Sequence, residues 1–324
     1  MADRKIKWGI VGLGNIASQF ASDLLLIDDA ELTAVASRDI SKAELFAEKF
    51  GALRMYNSYD LLFEDSEVEI IYIATPHNSH AALSIKALEK GKHVICEKPM
   101  SLSYNDAERM IEASKKNDRF FMEAFWTRFI PSIQDVLQKV DNGIIGDVNY
   151  IKADFAFHGS ETENKRLFDK ELGGGALFDI GVYPLFLSYI LLGNPKEIIA
   201  KAIKHKNDID LQTSMILQYE VAQSVLHASI VSESDMKASI SGSKGRIELN
   251  SPWFVADGYS LFINDEKEAD FTLPTLGKGY SHEIIECHNC IRNNQIESKL
   301  WSHQNSLDLS KIVEEIKKEI KLPF

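Results

Sequence analysis

The chain has 324 residues, 45% of them hydrophobic, and a formal net charge of −12 at pH 7. That length admits two domains of ordinary size with cores that need no disulfides. The acids are spread along the chain, which excludes a general nucleic-acid binder because no basic field would draw in phosphates. Cys96, Cys287 and Cys290 are the three cysteines, an odd and sparse set expected of free thiols in a reducing compartment. The N-terminus, MADRKIKWGIVGLG, shows no apolar leader followed by a small-residue cleavage site. The longest apolar stretch, Ala176 to Leu192, contains Asp179 and Tyr183 and falls short of a clean membrane span. The expectation is a soluble cytoplasmic protein with neither membrane nor nucleic acid as partner.

Along the first part, strand and helix alternate. Ile6–Val11 is a β-rich run and Asn15–Ile27 has helical spacing. Leu32–Ser37 reads as a second strand, followed by a helix over Ser41–Phe50 opened by a Ser cap. Val68–Ala74 (VEIIYIA) suits the middle of a parallel sheet. A helix over Ser79–Lys90 ends at Gly91, a capping signal. The strand His93–Cys96, a helix over Tyr104–Lys116 and the strand Phe120–Ala124 complete the series. This spacing predicts βαβ units and a doubly wound parallel sheet of Rossmann type.

After Phe125 the pattern changes. A helix is predicted over Ile130–Val140 and a half-exposed strand over Val148–Phe157. A helix over Gly175–Leu191 follows, with a kink expected at Pro184. Strands then follow without helices: Lys196–Lys204, Ile209–Glu220, Ser224–Ser232, Lys237–Ser241, Gly245–Leu249 and Tyr259–Ile263. They predict a large, mainly antiparallel open sheet with one wet face. Helices over Ser281–Asn293 and Gln304–Lys318 close the chain. The predicted organisation is α/β, with a dinucleotide-binding domain over 1–124. An α+β domain for substrate binding and oligomerisation follows over 125–324, and its last helix is free to pack back on the first domain.

Val11-Gly12-Leu13-Gly14-Asn15-Ile16-Ala17 fits G-x-G-x-x-A between a strand and a helix, the context the motif needs. Gly12 permits the tight turn and Gly14 lets the backbone approach a pyrophosphate. Asn15 and Ile16 open the helix at which that anion would sit, and Ala17 lets the helix pack close to the sheet. The second strand ends in Ser37-Arg38-Asp39. A guanidinium at Arg38 suits the 2′-phosphate of NADP. In the alternative, Asp39 holds the ribose hydroxyls of NAD.

Three further strings accompany the glycine turn: Ala74-Thr75-Pro76-His77-Asn78-Ser79-His80, Cys96-Glu97-Lys98-Pro99, and the run from Gly173 to Tyr183. Together they resemble the Gfo/Idh/MocA family of NAD(P)-dependent oxidoreductases over nearly the whole chain. Met122–Phe129 and a tyrosine in the D-x-x-x-H/Y pattern look most like the branch holding dimeric dihydrodiol dehydrogenase and NADP-dependent D-xylose dehydrogenase. The resemblance implies that Lys98 contacts the reacting centre and that Pro99 is cis. It also implies that Glu97 shapes the nicotinamide side and that Tyr183 is the general acid/base. Asp179, four residues earlier, shares a helix face with Tyr183 and is expected to orient the substrate hydroxyl or tune the pair.

Thr75, Pro76, Asn78 and His80 look like cofactor-side residues, and His77 is a candidate for the substrate side. Trp126, Arg128, Phe157, Trp253 and Tyr280 are candidates for lining a cleft suited to a sugar or ring diol; core packing is the alternative for each aromatic. The resemblance implies hydride transfer with NADP, or with NAD, on a sugar, polyol or trans-dihydrodiol, and a homo-oligomer, expected dimeric, through the second sheet. The alternatives are an NAD-preferring inositol- or sugar-type dehydrogenase and a non-catalytic dinucleotide sensor. The CxxC at Cys287 and Cys290 has no second pair to complete a zinc site, so these residues are expected to pack, and no metal is expected.

Overall fold

The computed structural model describes residues 4–323; Met1–Asp3, part of the N-terminal string read above, and Phe324 lie outside them. The chain divides into two compact units. The first holds residues up to Phe129 together with Leu276–Leu307, and the second holds Ile130–Thr275 and the chain from Asp308 on. Residues 276–307 thus group with the first unit; the expected break lay at 124/125, with the last helix free to pack back.

In the first unit the order is β1 (Ile6–Val11), α1 (Asn15–Leu24), β2 (Ala30–Ala36), α2 (Ile40–Phe50), β3 (Arg54–Tyr56), α3 (Tyr59–Glu64), β4 (Ile70–Ile73), α4 (His80–Glu89), β5 (His93–Glu97), α5 (Tyr104–Asn117) and β6 (Phe121–Ala124). The six strands are parallel in the order β3-β2-β1-β4-β5-β6. The order reverses between β1 and β4, the switch point at which such sheets bind dinucleotides. Strands buried on both faces explain the apolar runs: Ile70, Ile71, Tyr72 and Ile73 are all buried. One face of the sheet packs Val11, Ile71, Ile73, Val94 and Cys96 against Leu88, Met110 and Ile111 of α4 and α5.

Two local expectations are corrected. Helix α2 is capped by Asp39, whose side chain accepts from the Ser41 backbone, and Ser41 lies inside the helix. Strand β3 and helix α3 were not foreseen, because three- and six-residue elements leave too little periodicity to register.

The second unit contains α6 (Pro131–Asp141), β7 (Val148–Ala156), α7 (Val182–Leu192), β8 (Glu197–Lys204), β9 (Asp210–Gln218), β10 (Gln223–Ser229), β11 (Ala238–Gly242), β12 (Gly245–Leu249), β13 (Gly258–Ile263) and β14 (Glu266–Thr272). Its eight strands run in the order β14-β13-β12-β11-β7-β10-β9-β8. All neighbours are antiparallel except β7 and β10, which pair in parallel. Parallel neighbours need a long crossover, and the segment carrying α7, β8 and β9 supplies it. The polar edge strand β14 (EKEADFT) escaped the sequence reading because its charges protect an edge rather than mark a core. Helix α8 (Tyr280–Arg292) belongs to the first unit, and α9 (His303–Glu319) closes the chain.

Among the described residues, the helical stretch Lys170–Leu192 is long and apolar enough to cross a bilayer, with mean hydropathy 1.7 in its best window. Yet 78% of that window is buried inside the structure, which makes it a core element. The expected kink at Pro184 takes another form: Leu177–Gly181 is a π-helical turn and α7 starts at Val182. Pro184 has no N–H to give the carbonyl four residues back, and the turn before it widens.

Candidate active site

The glycine turn connects β1 to α1. Gly12 has φ +83°, and a Cβ there would lie 2.6 Å from the Ala74 carbonyl and the Thr75 nitrogen. The residue is therefore fixed both by its dihedral and by close approach to the end of β4. A Cβ on Gly14 would meet nothing within 4 Å, so open space faces the start of α1. Asn15 and Ile16 are exposed there while Ala17 is fully buried. Unsatisfied backbone N–H groups at a helix start, with room in front and no side chain in the way, fit a dinucleotide pyrophosphate. At the end of β2, Ser37 is buried and its hydroxyl accepts from the Asp39 nitrogen, whereas Arg38 is exposed. Asp39 is engaged with Ser41, and that hydrogen bonding lowers its pKa.

The loops after β4 and β5 are pinned by buried side chains. The Lys98–Pro99 peptide is cis, as the resemblance implies. Tyr72 of β4 donates a short hydrogen bond to Glu97. The Met100 nitrogen donates to Glu123 of β6 at 2.9 Å, and the same carboxyl accepts from Ser306 and Trp301. Burial raises the pKa of both Glu97 and Glu123, while the Lys98 ammonium pulls each back down. Lys98 itself is half-buried.

Thr75 is buried, its hydroxyl accepting from Ser79; Pro76 is half-buried and Asn78 exposed. His80, expected on the cofactor side, serves as an internal brace between two loops. It is fully buried, and its two ring nitrogens face the Thr75 and Pro99 carbonyls at 2.8 and 3.0 Å. His77, also buried, lies edge-on to it at 5.5 Å.

In the second unit, Gly175 has φ +113°, and a Cβ there would sit 2.5 Å from Asp210 Oδ1. Buried Asp210 accepts from the Leu177 nitrogen at 2.8 Å and from Thr213, anchoring the helical turn that carries Asp179. Asp179 accepts from Arg166 Nη2 at 2.5 Å. Tyr183 is buried among aromatic rings, 5.4 Å from both Phe155 and Phe254, which stack on each other at 4.0 Å.

The cleft candidates divide. Trp126 stacks on Tyr280 at 5.1 Å within the first unit, joining residues far apart in sequence. Arg128 Nε donates to the Leu300 carbonyl. Phe157 packs on the core cluster of Leu167, Ile180 and Ile230. Trp253, for which core packing was the alternative, is 0% exposed and its indole donates to the Asp154 carbonyl. Its neighbour Phe254 holds the place against Tyr183, because the short 3₁₀ turn Trp253–Val255 directs consecutive side chains to different sides.

Tyr72, Glu123, Phe155, Arg166 and Phe254 were all missed. Only the mid-strand polar residues Tyr72 and Glu123 carried a sequence signal, as polar side chains in strands expected to be wholly buried. Cys287 is buried, Cys290 lies against Glu286, and His288 bridges the Trp8 indole and Asp29.

A glycine turn at the switch point of a parallel sheet, with braced loops after β4 and β5, defines a dinucleotide-binding protein. Residues 6–125 match the model of an oxidoreductase family with an NAD-binding Rossmann fold, and residues 133–248 match the GFO/IDH/MocA C-terminal domain. The chain is 34% identical over 332 residues to the trans-1,2-dihydrobenzene-1,2-diol dehydrogenase of Mus musculus, covering 98% of each. Identity to the enzyme of the same name from Xenopus tropicalis is 31%, over 98% of this chain and 99% of that one. KijD10, a 3-ketoreductase from Actinomadura kijaniata solved with NADP and TDP-benzene, superposes with a TM-score of 0.89 at 25% identity, over 98% of each chain. An aldose–aldose oxidoreductase from Caulobacter crescentus shares the fold, with a TM-score of 0.87 at 24% identity over 98% of each chain. The chain belongs to the GFO/IDH/MocA family and is an NAD(P)-dependent dehydrogenase or reductase.

Proposed function

We propose that this enzyme uses NADP(H) to interconvert an alcohol or hemiacetal carbon and the matching carbonyl or lactone of a sugar, polyol or trans-dihydrodiol. The observation that carries this reading is the bracing of the Lys98 loop by Tyr72, His80 and Glu123 beside the glycine turn. The dihydrodiol relatives and the sugar-type ketoreductase give the substrate class. Cofactor binding is assigned to 1–124, and substrate binding and oligomerisation to 125–324. When bound, the nicotinamide takes up or supplies the hydride.

Tyr183 takes the hydroxyl proton on oxidation and returns it to the carbonyl oxygen on reduction. Lys98 supplies positive charge for the substrate oxygen as negative charge develops on it. Asp179, held by Arg166, orients a substrate hydroxyl. Gly12, Gly14, Asn15 and Ile16 are assigned to the pyrophosphate, Ser37 and Arg38 to the adenosine end. Thr75, Pro76, Asn78 and Glu97 take the nicotinamide side. His77, Trp126, Arg128, Phe157 and Tyr280 remain assigned to the substrate side. NADP is favoured because Asp39 is spent on capping α2 while Arg38 is exposed.

The free, buried cysteines suit a cytoplasmic enzyme. A homodimer through the open sheet face is supported by Ile199, Ile216 and Val225, cross-strand neighbours that are 47%, 39% and 40% exposed. The test is a screen of sugars, diols and α-dicarbonyls with NADP(H) and NAD(H), read at the nicotinamide absorbance. Turnover with NADP(H) on one of these classes is expected; binding of the dinucleotide with no turnover on any of them would overturn the reading in favour of a sensor.

A further inference from the structure

His80, the first residue of α4, lies between two loops and has no access to solvent. Its Nε2 is 2.8 Å from the Thr75 carbonyl oxygen and its Nδ1 is 3.0 Å from the Pro99 carbonyl oxygen. Both partners offer only lone pairs. A neutral imidazole carries one N–H, so one of these contacts would set lone pair against lone pair at hydrogen-bond distance. An imidazolium satisfies both, and charge-assisted bonds of this kind are the stronger ones.

The two carbonyls belong to the loops that matter most. Thr75 follows β4 on the cofactor side, against the glycine turn, and its nitrogen is one of the atoms that exclude a side chain at Gly12. Pro99 follows Lys98 directly, and its other neighbour Met100 is tied to Glu123.

We infer that His80 is a positioning residue whose ring is protonated on both nitrogens. One N–H holds the Thr75 loop and the other holds the backbone beside Lys98. The assignment rests on the reading of Lys98 as the site cation, while its protonation state is measurable without turnover.

The test has two arms. In the first, the ring nitrogens of His80 are observed by ¹⁵N NMR at neutral pH, assigned by their loss in His80→Asn. Two protonated nitrogens are expected; one unprotonated nitrogen would overturn the inference, whatever the enzyme's activity. The second arm separates the straps. An asparagine amide nitrogen replaces Nδ1 and keeps the Pro99 bond, whereas a glutamine amide nitrogen replaces Nε2 and keeps the Thr75 bond. His80→Gln is expected to lower kcat about tenfold with the NADPH Kd within threefold. His80→Asn is expected to raise the NADPH Kd about tenfold with kcat within threefold. Parallel losses in both variants, or none in either, would reduce His80 to a packing residue. Should the wild type turn over none of the screened substrates, the functional reading fails, and the NMR arm still decides the inference.

Discussion

Arg166 Nη2 lies 2.5 Å from Oδ1 of Asp179, so the acid four residues before Tyr183 is held by a guanidinium from a separate 3₁₀ turn, Lys165–Phe168. The pair fixes the rotamer of Asp179 through a charge-assisted contact. Arg166→Met is expected to lower kcat/KM roughly tenfold or more through loss of one charge-assisted bond. Arg166→Lys should recover part of that loss. The NADPH Kd, read by cofactor fluorescence, should stay unchanged in both variants. Wild-type kcat/KM in Arg166→Met would show that Asp179 does not depend on Arg166.

The adenosine end gives a second prediction. Arg38→Asp places an acid where a 2′-phosphate would sit, and each 1.4 kcal/mol of differential binding is a factor of ten. The ratio of kcat/KM for NADP to that for NAD should fall at least tenfold, measured with the best substrate from the screen. An unmoved ratio would remove Arg38 from cofactor discrimination.

Glu283 on α8 is fully buried, and neither carboxyl oxygen has a hydrogen-bond partner among the described residues. Burial raises its pKa well above the ordinary value, and the charges of Glu97 and Asp23 push it further the same way. The folded state therefore keeps a proton that the unfolded chain releases above about pH 4.3. Stability is lost as pH rises through that window, by up to about 1.4 kcal/mol per pH unit. Glu283→Gln removes this loss. The difference in Tm, variant minus wild type, should be larger at pH 8 than at pH 5; equal differences would mean that Glu283 ionises as easily folded as unfolded.

On the open sheet face, Ile216 lies between Ile199 and Val225 in register across three strands. Ile216→Asp leaves the inner face of the sheet intact, because side chains alternate. Sedimentation velocity should show a dimer for the wild type and a monomer for the variant, with circular dichroism unchanged. A variant that stays dimeric would move the interface elsewhere.

Much of this protein was determined by the sequence alone. The alternating apolar runs named the parallel sheet, since strands buried on both faces must be continuously hydrophobic. The G-x-G-x-x-A turn named the dinucleotide end, since its chemistry is local, and the string ending in Lys98-Pro99 carried the family resemblance. Tertiary structure alone decided the support. Tyr72 reaches Glu97, Glu123 reaches Met100, and Arg166 reaches Asp179 across separations that no periodicity encodes. It also decided side-chain direction, placing Trp253 in the core and Phe254 against Tyr183. A one-residue offset in a tight turn reverses which ring faces Tyr183, and packing rather than composition sets that offset.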